Sequence, residues 1–176
     1  DIMLPKSLRT IGKSAFAECK SLSEVVIPDG VQTIGDGAFL GCNELRSVTM
    51  SDSVTLLGAL CFDGCEALER VRLSDNITTI LNSTFYWCTS LRELNIPSKL
   101  EVVDCYAFCA CSALPDITLP DGLKSIEEYA FMSCYEFTEI DIPEGVTLMG
   151  QNCFGDCPKL ERVSLPESLQ ELGANR

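Results

Sequence analysis

The chain contains no histidine. That absence removes the commonest general base, the Ser-His and Cys-His nucleophile pairs, and the commonest metal ligand. Basic side chains are scarce too: 13 Lys and Arg stand against 26 Asp and Glu, a formal charge of −13. Such a surface argues against nucleic acid and anionic membranes and is compatible with basic partners. No apolar run approaches the ~20 residues of a membrane span, so direct membrane insertion by this segment is not expected. No Pro/Ser linker, charge block or low-complexity tract interrupts the chain, so residues 1–176 are expected to form one domain.

What the chain has is a period. Cys19, Cys42, Cys65, Cys88, Cys111, Cys134 and Cys157 lie 23 residues apart. Phe16, Phe39, Phe62, Phe85, Phe108, Phe131 and Phe154 keep the same step, as do Leu22, Leu45, Leu68, Leu91, Leu114, Phe137 and Leu160. Fixed periods of this size are the signature of stacked repeats.

Leu22, Val25 and Ile27 fit L-x-x-L-x-L, a strand pattern with Val25 and Ile27 on one face. Pro28, Pro97, Pro120, Pro143 and Pro166 follow the corresponding strands, where a residue without an N–H suits a strand end. The return path reads V-x-x-I-G-x-x-A-F-x-x-C, as in Val31, Ile34, Gly35, Ala38, Phe39 and Cys42. Spacings of three and four predict a short helical or 3-10 turn carrying Phe and Cys inward. Gly12, Gly35, Gly58, Gly150 and Gly173 share one slot that also takes Leu81, Asp104 and Glu127, so a positive φ is not required there. One unit cannot bury its apolar face alone; stacked units bury a continuous core. The expectation is an α/β solenoid of seven to eight repeats, right-handed by the crossover rule, with one short parallel β-strand per 23-residue repeat.

These residues resemble the BspA-like, or Treponema-type, leucine-rich repeat across essentially the whole chain. The usual buried Asn slot holds Gly30, Ser53, Asn76, Lys99, Gly122, Gly145 and Ser168, so no asparagine ladder forms and the turn must be satisfied otherwise. The resemblance implies a cell-surface or secreted protein engaged in adhesion or protein binding. Both ends stop within a repeat and show no polar cap, which reads as a segment of a longer chain.

The seven phased cysteines read as reduced core residues. Cys61 and Cys153 replace the small residue of Ala38 and Ala107, while Cys105 and Cys109 fall on outer positions. Cys109-Ala110-Cys111 lacks the second pair that a zinc site needs. Gly35-Asp36-Gly37 lacks the rest of a phosphate loop. No catalytic, cofactor or metal residue is therefore assigned. Asn76-Ile77-Thr78 and Asn82-Ser83-Thr84 match glycosylation sequons, at a frequency that chance supplies.

Two surfaces could meet a protein partner. Arg46, Arg70, Arg72 and Arg92 make a basic spot on the strand face, suited to carboxylates unless Glu44, Glu69 and Glu93 balance it locally. On the opposite, convex side, Leu60, Tyr86, Tyr106, Cys109, Tyr129 and Met132 occupy outward slots that hold Ser14, Ala17, Gly37 and Leu40 in early repeats, with Trp87 adjacent and Tyr135 one residue past its Cys; Tyr86, Trp87, Tyr106, Tyr129 and Met132 are the candidate contact residues. Exposed rings of this kind mark contact sites, unless they lie flat over their own repeats. Two roles follow: a non-catalytic, adhesin-like or receptor-like recognition module, or a structural spacer within an assembly.

Overall fold

The computed structural model describes residues 2–174, which form a parallel β-solenoid of about seven turns. Each turn advances the register by 23 residues, so Thr10 pairs with Thr33, Glu24 with Ser47 and Glu139 with Arg162. The expected strand face is present. It consists of β2 (Glu24–Ile27), β4 (Ser47–Met50), β6 (Arg70–Arg72) and β8 (Glu93–Leu94), followed by the separate pair β11 (Glu139–Asp141) and β13 (Arg162–Ser164).

The expectation of one strand per repeat is corrected by a second ladder. It runs through β1 (Thr10–Ile11), β3 (Thr33–Ile34) and β5 (Leu56–Leu57). It resumes with β7 (Thr79–Ile80), β9 (Val102–Val103), β10 (Ser125–Ile126), β12 (Leu148–Gly150) and β14 (Glu171–Ala174). Alternation explains it: Ile34, Leu57, Ile80, Val103 and Ile126 are buried, while the residue before each is more open.

The helical or 3-10 return turns are also corrected: no helix occurs among the described residues. In the turn that contains Phe39, the residues Gly37, Phe39 and Gly41 send their N–H groups to Ala59, Cys61 and Asp63 of the next turn at 2.8–2.9 Å. Only the alternate residues, Ala38, Leu40 and Cys42, bond back three positions within their own turn. A helix would direct every N–H along its own axis. Two left-handed residues per turn break that run. One column runs from φ 50° at Asn152 to 58° at Leu60 and Tyr129, the other from 54° at Asp156 to 69° at Gly64. Gly37 and Gly41 occupy these columns at little steric cost. Gly35 has a different role: a Cβ there would lie 2.7 Å from the backbone nitrogen of Lys13 in the preceding turn.

The core is built in columns. The phenylalanine rings from Phe16 to Phe154 stack at 5.2–5.5 Å with interplanar angles of 4–14°. All cysteines are free. Ser53 satisfies the turn that lacks an asparagine ladder: its Oγ accepts from Gly30 N at 3.0 Å and donates to Val31 O at 2.8 Å. Ser168 repeats the device at Gly145 and Val146.

The strand face breaks at Pro115. In neighbouring turns this slot donates its N–H to the turn before, as Arg92 does to Glu69 O; proline cannot. Where the carbonyl of Arg46 or Glu69 accepts two N–H groups from the next turn, the Asp116 carboxylate stands in for Pro115. Asp116 Oδ1 accepts Thr138 N at 2.7 Å and Glu139 N at 3.2 Å, and Oδ2 accepts the Thr138 hydroxyl. This explains why the strand ladder falls into two pieces on either side of residues 115–119.

Candidate functional site

The left-handed columns position the candidate contact surface. Trp87, Tyr106 and Tyr129 sit at φ 59°, 57° and 58°, in slots that hold Gly41, Gly37 and Ser14 elsewhere. The inward slots on either side of the rings are filled by Phe85, Cys88, Ala107, Phe108, Ala130 and Phe131, so the rings project from the core. Ring area stays open to solvent: Trp87 is 49% and Tyr106 36% accessible, and Tyr86, Tyr129 and Met132 are half-buried.

The four rings form a continuous file. Tyr106 stacks on Tyr129 at 4.8 Å, meets Tyr86 edge-on at 6.3 Å, and Tyr86 in turn lies 6.3 Å from Trp87. Gln151 Nε2 donates to the Tyr129 hydroxyl at 2.9 Å. Together with Met132, the rings line an open depression of about 620 Å³. All five convex-side residues singled out from the sequence therefore converge on one site.

Thr89, Cys109, Ala110, Ser112, Ser133 and Tyr135 also line the depression. Tyr135, 44% accessible, completes one edge. Cys109 lies in the depression, and its expected outer position is corrected: it is only 7% accessible because the surrounding rings cover it. Its slot does point outward, as the half-exposed Met132 of the same column shows, but the neighbours are larger than the thiol. Burial pushes its thiol up, as it does for Cys105. No group of His, Cys, Asp and Glu able to hold a metal occurs among the described residues.

The arginine spot has a different character. Glu69 lies within ion-pair reach of three guanidiniums: Arg92 at 2.5 Å, Arg70 at 3.6 Å and Arg46 at 3.9 Å. Arg72 pairs with Asp52 at 3.2 Å and donates to the Met50 carbonyl. Of the three glutamates named as balancing groups, Glu69 performs the balancing. The sequons are engaged as well. Asn76 Nδ2 donates to Asp52 O at 2.7 Å, and Thr84, the third residue of the other sequon, is fully buried with its hydroxyl bonded to Leu81 O.

A two-ladder solenoid with a 23-residue turn and an outward file of rings defines a class of stacked-repeat protein. The chain belongs to the BspA type leucine rich repeat region family, whose sequence profile matches six copies over residues 1–101 and 78–176. It is similar to the leucine rich cell surface protein of Faecalibacterium prausnitzii, with 34% identity and a TM-score of 0.84 over 92% of this chain. The Treponema pallidum leucine rich repeat protein is 32% identical, with a TM-score of 0.81 over 90% of this chain and 75% of its own length. A leucine-rich repeat protein of Eubacterium ventriosum is 28% identical, with a TM-score of 0.80. The chain spans 43% of the Faecalibacterium protein and 42% of the Eubacterium protein. No curated protein matches it. No helix among the described residues is long and apolar enough to cross a membrane.

Proposed function

We propose that this chain is a non-catalytic protein-binding module of a cell-surface protein, adhesin-like or receptor-like, and that it binds through the aromatic file of Tyr86, Trp87, Tyr106, Tyr129 and Met132. One observation carries this reading. Three large rings occupy left-handed backbone positions that cost L-residues ~1–2 kcal/mol each, where other turns of the same solenoid place Gly, Ser, Asn, Asp, Glu, Ala or Leu and never a ring. The fold sets the left-handed backbone in every turn but does not call for a ring there, and rings confined to these turns point to a use at the surface. The rings also combine apolar area with polar tips, which suits a surface that is wet when free and dry when bound. Surface location is supported by the Faecalibacterium relative, described as a cell surface protein. A spacer role gives no reason for exposed rings confined to these turns.

The experiment is photo-crosslinking from p-benzoylphenylalanine placed at position 87, in surface extracts of the source cells. A dominant adduct is expected, lost when Tyr86 and Tyr129 are both changed to Ser in a chain that still folds. The double change should weaken binding of the captured partner by at least ~2 kcal/mol if these are hot spots. Undiminished capture by the double variant would overturn the reading.

A further inference from the structure

The aromatic file lies on a stretch of surface with one sign of charge. Residues 57–68, 81–91, 104–114 and 127–137 are the return limbs that carry and flank it. They contain Asp63, Glu66, Asp104, Glu127, Glu128 and Glu136, and not one Lys or Arg. The turn register sets these carboxylates around the rings. Asp63 and Glu66 precede Tyr86 and Thr89 by one turn. On the far side, Ser133, which lines the depression, donates to Asp156 Oδ2 at 3.2 Å. Lys159 is the basic residue next along, and its ammonium is already held by Glu136 at 2.6 Å.

Resting on the binding role proposed above, we infer that the depression accepts a cationic side chain, arginine before lysine, from a basic segment of the partner protein. An aromatic face attracts a cation through its quadrupole, most strongly for tryptophan and tyrosine. A guanidinium can stack on a ring and still direct its N–H groups sideways, which an ammonium cannot do as well. Here Trp87 and Tyr106 supply the accessible rings, Thr89, Ser112 and Ser133 supply hydroxyl acceptors at the rim, and the flanking carboxylates lower the potential outside. The surrounding acidity gives an uncharged apolar partner no advantage. It repels an acidic one.

Trp87 is the sole tryptophan, so its fluorescence reports on this site alone. The probes are two synthetic hexapeptides of alternating Gly and Arg, or Gly and citrulline, the latter an uncharged isostere. The arginine probe is expected to change Trp87 emission saturably and to bind at least ~3-fold more tightly than the citrulline probe, the scale of an exposed cation–π contact. Tyr106→Leu, which keeps apolar bulk and removes one π system, should reduce that difference. Equal affinity for the two probes would overturn the cationic assignment while leaving binding at the rings intact. No saturable response to either probe would also overturn it, and the crosslinking result would then judge the binding role separately. Unchanged discrimination in Tyr106→Leu would show that the charge preference arises away from the rings and would overturn the inference as well.

Discussion

The thiol of Cys88 donates to the backbone carbonyl of Phe62 in the preceding turn at 3.2 Å. The same carbonyl accepts the Cys65 N–H at 3.1 Å. This link recurs from Cys42 to Phe16 through Cys157 to Phe131, always across 26 residues. The cysteine column therefore does more than fill space. It satisfies the second lone pair of a carbonyl that faces the core, and it ties each turn to the one before.

Removing a ring should cost more than removing a thiol. Phe85 is fully buried between Phe62 and Phe108, and Phe85→Ala should destabilise the fold by ~3–5 kcal/mol. Cys88→Ala leaves the Phe62 carbonyl its Cys65 partner and should cost ~1–2 kcal/mol. Urea unfolding of both variants checks the order. A Cys88 loss equal to the Phe85 loss would mean that the thiol link carries the stack.

Alkali should weaken the solenoid through its thiols. Burial, the largest cause, pushes Cys42 and Cys153 up to about 11 from 9.0, and raises Cys65, Cys88, Cys111 and Cys134 as well. Between those values the unfolded chain releases protons that the folded chain retains, so stability falls as pH rises. It should be fully present below pH 9.0 and decline progressively toward about 11. Urea midpoints across this window, compared with a Cys42→Ala Cys153→Ala variant, test it. Equal slopes in the two proteins would remove these two thiols as the cause.

The core was legible in the sequence because a stacked repeat places identical residues in identical surroundings. Phe39 and Cys42 announce their columns by position alone. The return limb was not legible, because the step from Ala38 to Cys42 has the spacing of a helical turn while its N–H groups alternate between turns. The left-handed columns were obscured because glycine marks them only at Gly37, Gly41 and Gly64, and Trp87, Tyr106 and Tyr129 conceal them later. The second ladder could have been found from β-branched residues, as in Thr33-Ile34 and Thr79-Ile80. The rings of the site are legible because outward slots change character in mid-chain. For Cys109 the sequence makes the outward direction legible but not the size of the neighbours that cover it.

Asp116 should matter at neutral pH and not in acid. Partial burial alone would raise its carboxyl, but the hydrogen bonds from Thr138 and Glu139 outweigh that and hold it below the usual 3.8. A depressed carboxylate contributes stability above its unfolded pKa and loses it as pH falls through the folded one. Asp116→Ala should cost ~1 kcal/mol near neutrality, a modest loss because water can reach the freed N–H groups. The difference from the parent should shrink below about pH 4. A constant difference across that range would show that the charge on Asp116 is irrelevant.

The strand-face arginines should prove dispensable for binding. Three of them share Glu69 and the fourth is held by Asp52 and Met50, so a partner carboxylate would have to displace an existing pair. Exposed pairs of this kind are worth ~0–1 kcal/mol. Arg70→Ser with Arg72→Ser should leave stability nearly unchanged, and should leave both affinity for the captured partner and its salt dependence as they were. A weaker complex with a flatter salt slope would assign this face to recognition instead.

Stability and binding should separate at Trp87. Its φ of 59° is one that Gly41 and Gly64 adopt freely in the same column, so Trp87→Gly relieves backbone strain. Against that stand the lost contact with Tyr86 and the greater freedom of glycine in the unfolded chain, ~0.5–1 kcal/mol each. The terms nearly cancel, and the variant should unfold within ~1 kcal/mol of the parent. Trp87→Val keeps an apolar side chain but places a β-branched residue in a left-handed slot, where its steric penalty is larger. It should be the less stable of the two, although it is the milder change in hydrophobicity. Both variants lose the ring and should bind the partner poorly. Denaturation curves and affinities measured on the three proteins test the scheme together. If Trp87→Gly were strongly destabilised, the ring would be a structural element of its own turn, and the claim that the fold tolerates it only for the sake of contact would fail.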